Sequence, residues 1–465
     1  MPAAWDRRSS AEQGRVEELL LAEWLPGAVT FAPHWSRWAD REGLDADELV
    51  TRADLGRVVP TLQGDVARRG GTALVQRPTE AQVKAVAGGS LLSRIAGAIR
   101  RDQIDGKRRV LLEEFKPVHV TRAGIADELA IASSRADLDR MHRAGARAAS
   151  VLGLGDHDYV VSAVPAGPTD EYWAVRSMAL GASMLALHPR GHGDELDRCI
   201  EAFELMPATA VACLPQDAIA WPQQLAEADA DVSRVVHVIL VGPPPSDEQR
   251  EAIVEAWRDA GALEHELVVR AMWSPDVHRG IWAECEEGLE GLHTTPDMEV
   301  LEVLDAITGA PSSGGGDLTL TSLGWTGTTL LRYRTGTRVD AVVADGTPCP
   351  ACGRTVPRIT GAVQPGVWQP MLRREEGLQA LDLRAIATEL EASAAPVWRV
   401  ALQRRDGLDG YVAELGGDVD RSTRERVRAS LERATGIAAS SVMVSPEDQV
   451  AERVERLGSP FVDNR

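Results

Sequence analysis

Val235-Val236-His237-Val238-Ile239-Leu240-Val241 is apolar apart from one histidine, and a helical pattern follows it from Asp247 to Ala260. So continuous a run reads as a strand buried on both faces, since a half-exposed strand would alternate. Two further runs share the texture, Tyr159-Val160-Val161-Ser162-Ala163-Val164 and Ala210-Val211-Ala212-Cys213-Leu214. Helical patterns at Ala136 to Leu152 and Glu195 to Leu205 separate them. Strands alternating with helices predict an α/β arrangement, a largely parallel sheet covered on both faces.

Toward the N-terminus the texture is helical. Residues 1 to about 70 carry helical apolar spacing from Val16 to Leu25, and Asp45 and Asp54 read as local helix starts. A second helical stretch runs from Glu80 to Arg101. Toward the C-terminus, residues 288–360 hold short β-rich segments, with turn signals at Gly314-Gly315-Gly316 and Asp345-Gly346. After Gly361 the pattern changes again. Asp382 to Ala392 and Asp420 to Ala434 are helical, while Val397 to Leu402, Gly410 to Leu415 and Ser441 to Val444 are strand-like. We therefore expect a large N-terminal domain over 1–361, helical to 117, α/β over 118–287 and β-rich over 288–361. A small α+β C-terminal domain over 362–465 completes it.

Composition narrows the function classes. The 465 residues carry 50 Lys+Arg against 70 Asp+Glu, a net −20, which disfavours a nucleic-acid partner. No run is apolar enough for a membrane span, and Met1 to Arg8 has no apolar stretch to act as a leader. Five cysteines are too few for a disulfide scaffold. The expectation is a cytoplasmic protein with no membrane or nucleic-acid partner. Lys84, Lys107 and Lys116 are its only lysines.

Two features carry chemistry. Cys285 and His293 precede a Cys349-Pro350-Ala351-Cys352 knuckle. The knuckle alone would suit a redox pair equally well, but soft sulfur with imidazole in a set of four suits structural zinc. The second is Leu330-Leu331-Arg332-Tyr333-Arg334-Thr335-Gly336, where arginines flanking a tyrosine offer contacts to a phosphate or nucleotide sugar. An exposed strand end has the same look.

Together with Leu240-Val241-Gly242, Gly291-Leu292-His293, the segment Gly316 to Leu323 and Cys352-Gly353-Arg354, these features resemble the phenylacetate–CoA ligase group of the adenylate-forming superfamily. The likeness runs over about 118–361 and more loosely to the end. It implies the adenylate-forming fold, a multi-layer N-terminal domain with a β-rich subdomain and a mobile C-terminal lid. Its implied activity is ATP-dependent activation of a carboxylate to an acyl-adenylate and then an acyl-CoA. ATP with magnesium and coenzyme A would be required if the chain is active. The resemblance supports Cys285, His293, Cys349 and Cys352 as zinc ligands. It also implies nucleotide contacts at Trp273, Asp276, Tyr333, Arg334, Thr335, Gly336 and Thr337, with Tyr172 and Trp173 as walls of the acyl pocket.

Several functional elements depart from the family pattern. The family's phosphate loop, Ser-Ser-Gly-Thr-Thr-Gly-Lys-Pro, corresponds to Thr121-Arg122-Ala123-Gly124-Ile125-Ala126-Asp127-Glu128. Two carboxylates there repel a triphosphate. The adenine motif is Met272-Trp273-Ser274-Pro275-Asp276, and the ribose-gripping aspartate is Thr337, whose hydroxyl cannot accept both bonds. The hinge reads Gly361-Ala362-Val363-Gln364. The lid lysine has no counterpart, because the closing motif aligns with Gly458-Ser459-Pro460-Phe461-Val462 and no lysine follows Lys116.

Adenylation is therefore expected to be weak or lost, and no catalytic residue is assigned. The alternative is a non-catalytic paralogue that binds a nucleotide or acyl-CoA or acts as a protein-interaction module. Expected partners are a small carboxylic acid or acyl-CoA, with a homodimer or a partner ligase in view. His188, Arg190 and His192 read as a surface loop, and Cys199 and Cys213 as core.

Overall fold

A hairpin precedes the main sheet: β1 (Pro117–Ala123) pairs antiparallel with β2 (Leu129–Ser134). The computed structural model describes residues 2–61, 72–79, 82, 113–123, 129–188, 195–262, 267–275, 277–285, 291–305, 309–313, 315–361, 371–375, 377–393, 395–405, 407–457 and 460–463. Most of the expected helix Glu80–Arg101, residues 124–128, Asp276, residues 189–194, the expected hinge 362–364 and residues 458–459 lie outside them.

The apolar runs become adjacent parallel strands. These are β3 (Tyr159–Ser162), β4 (Leu185–Leu187), β5 (Ala210–Cys213), β6 (His237–Val241) and β7 (Val268–Trp273), each registered in parallel with its neighbours. β8 (Trp282–Glu284) and β9 (Leu292–His293) continue the sheet antiparallel. The β-rich segment does not keep to one sheet. β10 (Glu299–Leu304), β11 (Gly316–Ser322) and β12 (Tyr333–Val339) form a separate three-stranded antiparallel sheet. β13 (Ala341–Val343) and β14 (Arg358–Thr360) return to the main sheet, whose order is β13-β14-β9-β8-β7-β6-β5-β3-β4.

Helices cover both faces. Helix Arg135–Leu152 starts in a capping box between Ser134 and Asp137 and stops at Gly153 in the left-handed conformation. It lies so close to helix Asp170–Ala182 that a Cβ at Gly145 would stand 2.3 Å from the Ser177 backbone, and one at Gly181 2.0 Å from the His142 carbonyl. Only glycine permits that approach. Cys199 and Cys213 are core residues, packed with Phe203, Val238 and Trp257.

The N-terminal helix Ser10–Phe31 lays Leu21, Trp24, Leu25 and Val29 against Val300, Leu320 and Tyr333 of the three-stranded sheet. Asp45 caps a short turn over Ala46–Glu48 as expected. Asp54 does not start a helix. Thr51 caps Arg52–Leu55, and Asp54 is the third helical residue, reaching back to close the capping box.

From Leu372 to Phe461 the described residues build a core of their own, with Ile386, Leu390, Val400, Tyr411 and Leu431. Its sheet contains β17 (Val397–Arg405), β18 (Leu408–Gly416), β19 (Ser441–Ser445) and β20 (Phe461–Asp463) in the order β19-β18-β17-β20. The hairpin β15 (Met371–Arg374) and β16 (Gly377–Ala380) precedes it. Among the described residues, no helix is long and apolar enough to cross a membrane.

Candidate functional site

The four expected metal ligands come together. Cys285 follows β8, His293 lies on β9, and Cys349 and Cys352 occupy the turn between β13 and β14. Antiparallel pairing sets His293 beside both Ala283 and Arg358, which draws these segments to one point. The ligand atoms all lie within 4.8 Å of one another. Cys285 Sγ is 3.7 Å from Cys349 Sγ, and Cys352 Sγ is 3.5 Å from His293 Nε2. A tetrahedral ion bonded at about 2.3 Å to sulfur and about 2.1 Å to nitrogen spaces its ligands about 3.8 and about 3.6 Å apart. The cluster fits such an ion.

Backbone bonds shape the knuckle, from Gly353 N to the Cys349 carbonyl at 2.8 Å and from Cys349 N to the Arg354 carbonyl at 2.7 Å. The hydrogen bond between Cys352 and Cys285 pushes the Cys285 thiol up and pulls Cys352 down. One thiolate therefore stands ready, the form in which cysteine binds metal. Four protein ligands close the set, leaving no open position for a catalytic water.

Sequence reading missed what braces this cluster. Thr355 N donates to the Asp6 carbonyl at 2.8 Å, and Gln13 Nε2 donates to Thr355 Oγ1 at 3.1 Å. The Asp6 carboxylate lies 2.7 Å from Arg147 Nη2 and 3.7 Å from Arg354 Nε, while Arg147 also pairs with Asp297. Burial works against the Arg147 charge, yet Asp297 and Asp6 hold its pKa above the ordinary arginine value. A second buried pair, His278 Nε2 to Glu299 Oε2 at 2.6 Å, sits in the core beside Trp282. No local motif announces either arrangement.

The described members of the expected nucleotide set lie on β7 and β12. Trp273 ends β7 and meets Trp282 edge-on at 5.4 Å, in a cluster with Leu292, Leu318 and Val339. Tyr333 to Thr337 all lie on β12. Tyr333 is fully buried in the first core. Arg334 Nε donates to Asp317 Oδ2 at 3.0 Å, Thr335 Oγ1 to the Leu318 carbonyl at 2.9 Å, and Thr337 N to Thr335 Oγ1 at 3.1 Å. Gly336, at φ +71, falls where the β11–β12 register shifts. Arg332 bonds Glu302 at 2.9 and 3.0 Å and the carbonyls of Gly56 and Val58 at 3.0 and 2.8 Å. The segment is therefore no exposed strand end. Both arginines are committed to partners inside the protein.

At the hairpin, Thr121 is buried in β1. Tyr172 and Trp173, half-buried on helix Asp170–Ala182, gather with two histidines. The Trp173 ring centre is 3.9 Å from His119, and that of Tyr172 is 5.2 Å from His188. Arg176 lies 5.5 Å over Trp173. Burial holds both histidines below the ordinary value of 6.5, so the rings are uncharged at neutral pH.

No family model matches the sequence, and no curated protein matches it. Solved structures do match. 2-Hydroxyisobutyryl-CoA ligase in complex with 2-HIB-AMP and CoA, in the thioesterification state, aligns at 18% identity over 99% of this chain and 92% of that one, with a TM-score of 0.60. The same ligase in the postadenylation state with R3-HIB-AMP aligns at 17% identity over 95% and 88%, also at 0.60.

The chain has the adenylate-forming fold. An open conformation of that ligase, with 2-HIB-AMP and CoA, gives 18% identity over 95% and 90% at a TM-score of 0.59. The likeness thus runs over nearly the whole chain.

Proposed function

We propose that this chain derives from acyl-CoA ligases of the phenylacetate–CoA ligase type and that its own ATP-dependent carboxylate activation is weak or lost. The observation that carries the reading is the absence of any lysine after Lys116. A small C-terminal lid over 362–465 would then have no ammonium to place on the charge that develops during adenylation. Such a group acts mainly in the transition state, so its loss lowers turnover before it lowers binding. The acidic Asp127 and Glu128 in the phosphate-loop register and the Thr337 hydroxyl add to the deficit. The commitment of Arg334 to Asp317 and of Thr335 to Leu318 leaves little of β12 for a nucleotide.

In this reading the metal is zinc and structural. Cys285, His293, Cys349 and Cys352 would hold it, and its role is to pin the turn between β13 and β14 to β8 and β9. Trp273, Asp276 and Tyr333 to Thr337 mark the inherited nucleotide side, and Tyr172 and Trp173 the inherited acyl side. The protein works in the cytoplasm, alone, as a homodimer or beside an intact ligase, and its retained role is to bind a small acid, acyl-CoA or nucleotide. Two measurements on the purified chain separate the possibilities. Binding of ATP, AMP or coenzyme A without carboxylate-dependent pyrophosphate release supports the non-catalytic reading. Robust release with any acid shows a working ligase and refutes the proposal.

A further inference from the structure

A cleft of about 370 Å³ opens between helix Ser10–Phe31, the residues just before β1 and helix Arg135–Leu152. Trp24, Phe31 and Phe115 form its apolar walls, the two phenylalanines meeting edge-on at 5.3 Å. Gln76 and Thr326 also line it but are committed. Gln76 Nε2 donates to the Trp325 carbonyl and to Thr329, and Thr326 bonds Ser134 and Asp137.

Arg140 is different. Its guanidinium lies against Gly324, where a Cβ would stand 2.4 Å from Nη2. Among the described residues no carboxylate comes within ion-pair distance of it. The two carboxylates whose field reaches it are engaged elsewhere. Asp137 accepts from Arg279 and from the amides of Ser134, Thr326 and Gly327. Asp297 takes Arg147 and the Trp5 indole. Two acids share the cleft with Arg140. Glu23 has a partner of its own, and burial together with Asp137 raises the Glu114 pKa.

A half-buried guanidinium without a counter-ion is costly, and its planar fork matches a carboxylate. We propose that this cleft binds a small organic carboxylate with an aromatic or branched apolar body, the carboxylate on Arg140 and the body between Trp24, Phe31 and Phe115. The rings select against inorganic anions, which cannot use an apolar wall. The volume lies in the range of small-molecule sites. The cleft sits at the base of the hairpin, where Pro117 faces Ser134, and shares no residue with the nucleotide, acyl or metal sets. The proposal is therefore independent of the ligase reading.

Calorimetric titration of the full chain with 3-phenylpropanoate and with its neutral amide tests it. The acid should bind saturably, with the amide at least about tenfold weaker, the usual weight of a charged hydrogen bond. Arg140→Gln should weaken the acid by the same factor and leave the amide unchanged. Phe115→Ala, which removes a wall and no charge, should weaken both. Equal binding of acid and amide, wild-type affinity in Arg140→Gln, or no acid binding up to about 10 mM each overturns the proposal.

Discussion

Arg7 Nη2 donates to the Cys352 carbonyl at 3.1 Å, which fastens the first turn of the chain to the metal knuckle. With Asp6 bridging Arg147 and Arg354, the N-terminal segment and the cluster form one mechanical unit. Chelation of the metal should therefore speed amide exchange in residues 2–13 as well as in 345–355. Asp6→Asn should cost about 3 kcal/mol, the scale for breaking a buried pair, and loosen both segments together. Exchange that rises at the knuckle alone would separate them.

Cys349 N and O both take part in the turn that presents its sulfur. Cys349→Ser keeps the turn and removes a soft ligand, so metal content should fall well below one per chain and the melting temperature should drop. Any residual ligand binding should survive at low temperature, because the cluster closes on itself. Elemental analysis and a thermal melt on the same sample check both points.

Glu299 accepts the Trp282 indole N–H at 2.8 Å and the Thr295 amide at 2.7 Å, and faces His278 at 2.6 Å. Truncation strands all three groups in a dry core. Glu299→Ala should destabilise by about 3–5 kcal/mol, and Glu299→Gln, which keeps one acceptor oxygen, by less. Urea denaturation gives the difference.

The C-terminal unit carries an acid-sensitive contact. Burial would raise the Glu414 pKa, but bonds from Ser445 and Arg453 and the charges of Arg453 and Arg399 bring it net below the ordinary 4.5. A lowered folded-state value means that the stabilisation is fully present above pH 4.5 and fades as pH falls through the folded value. Glu414→Gln should cost about 1–2 kcal/mol at pH 7, and the gap to wild type should close in strong acid. Urea midpoints measured against pH test the sign.

The parallel strands were legible because β3, β5 and β6 lie in a sheet covered on both faces, which demands unbroken apolar runs. The Cys/His cluster was legible because cysteine and histidine advertise their chemistry by type, and a Cys-x-x-Cys turn is local. The return of β13 and β14 to the main sheet was not, since the pairing of β14 with β9 is made across the intervening three-stranded sheet. The internal partners of Arg332 and Arg334 were hidden for a related reason. Arginines beside a tyrosine look the same in sequence whatever they meet, and their partners Glu302 on β10 and Asp317 on β11 lie far off along the chain. The Asp6–Arg147–Asp297–Arg354 network joins residues scattered along the chain, and no local pattern encodes it.

The account's central claim concerns chemistry, and a single-turnover experiment reaches it without requiring product release. Enzyme in excess over α-labelled ATP, with magnesium and a mixture of aryl and short acyl acids, is quenched and examined for acyl-adenylate. The account predicts label that stays in ATP over minutes, with no adenylate above the no-acid control. Stoichiometric adenylate within seconds would contradict it, and would mean that an arginine such as Arg456 has taken over the work of the absent lysine.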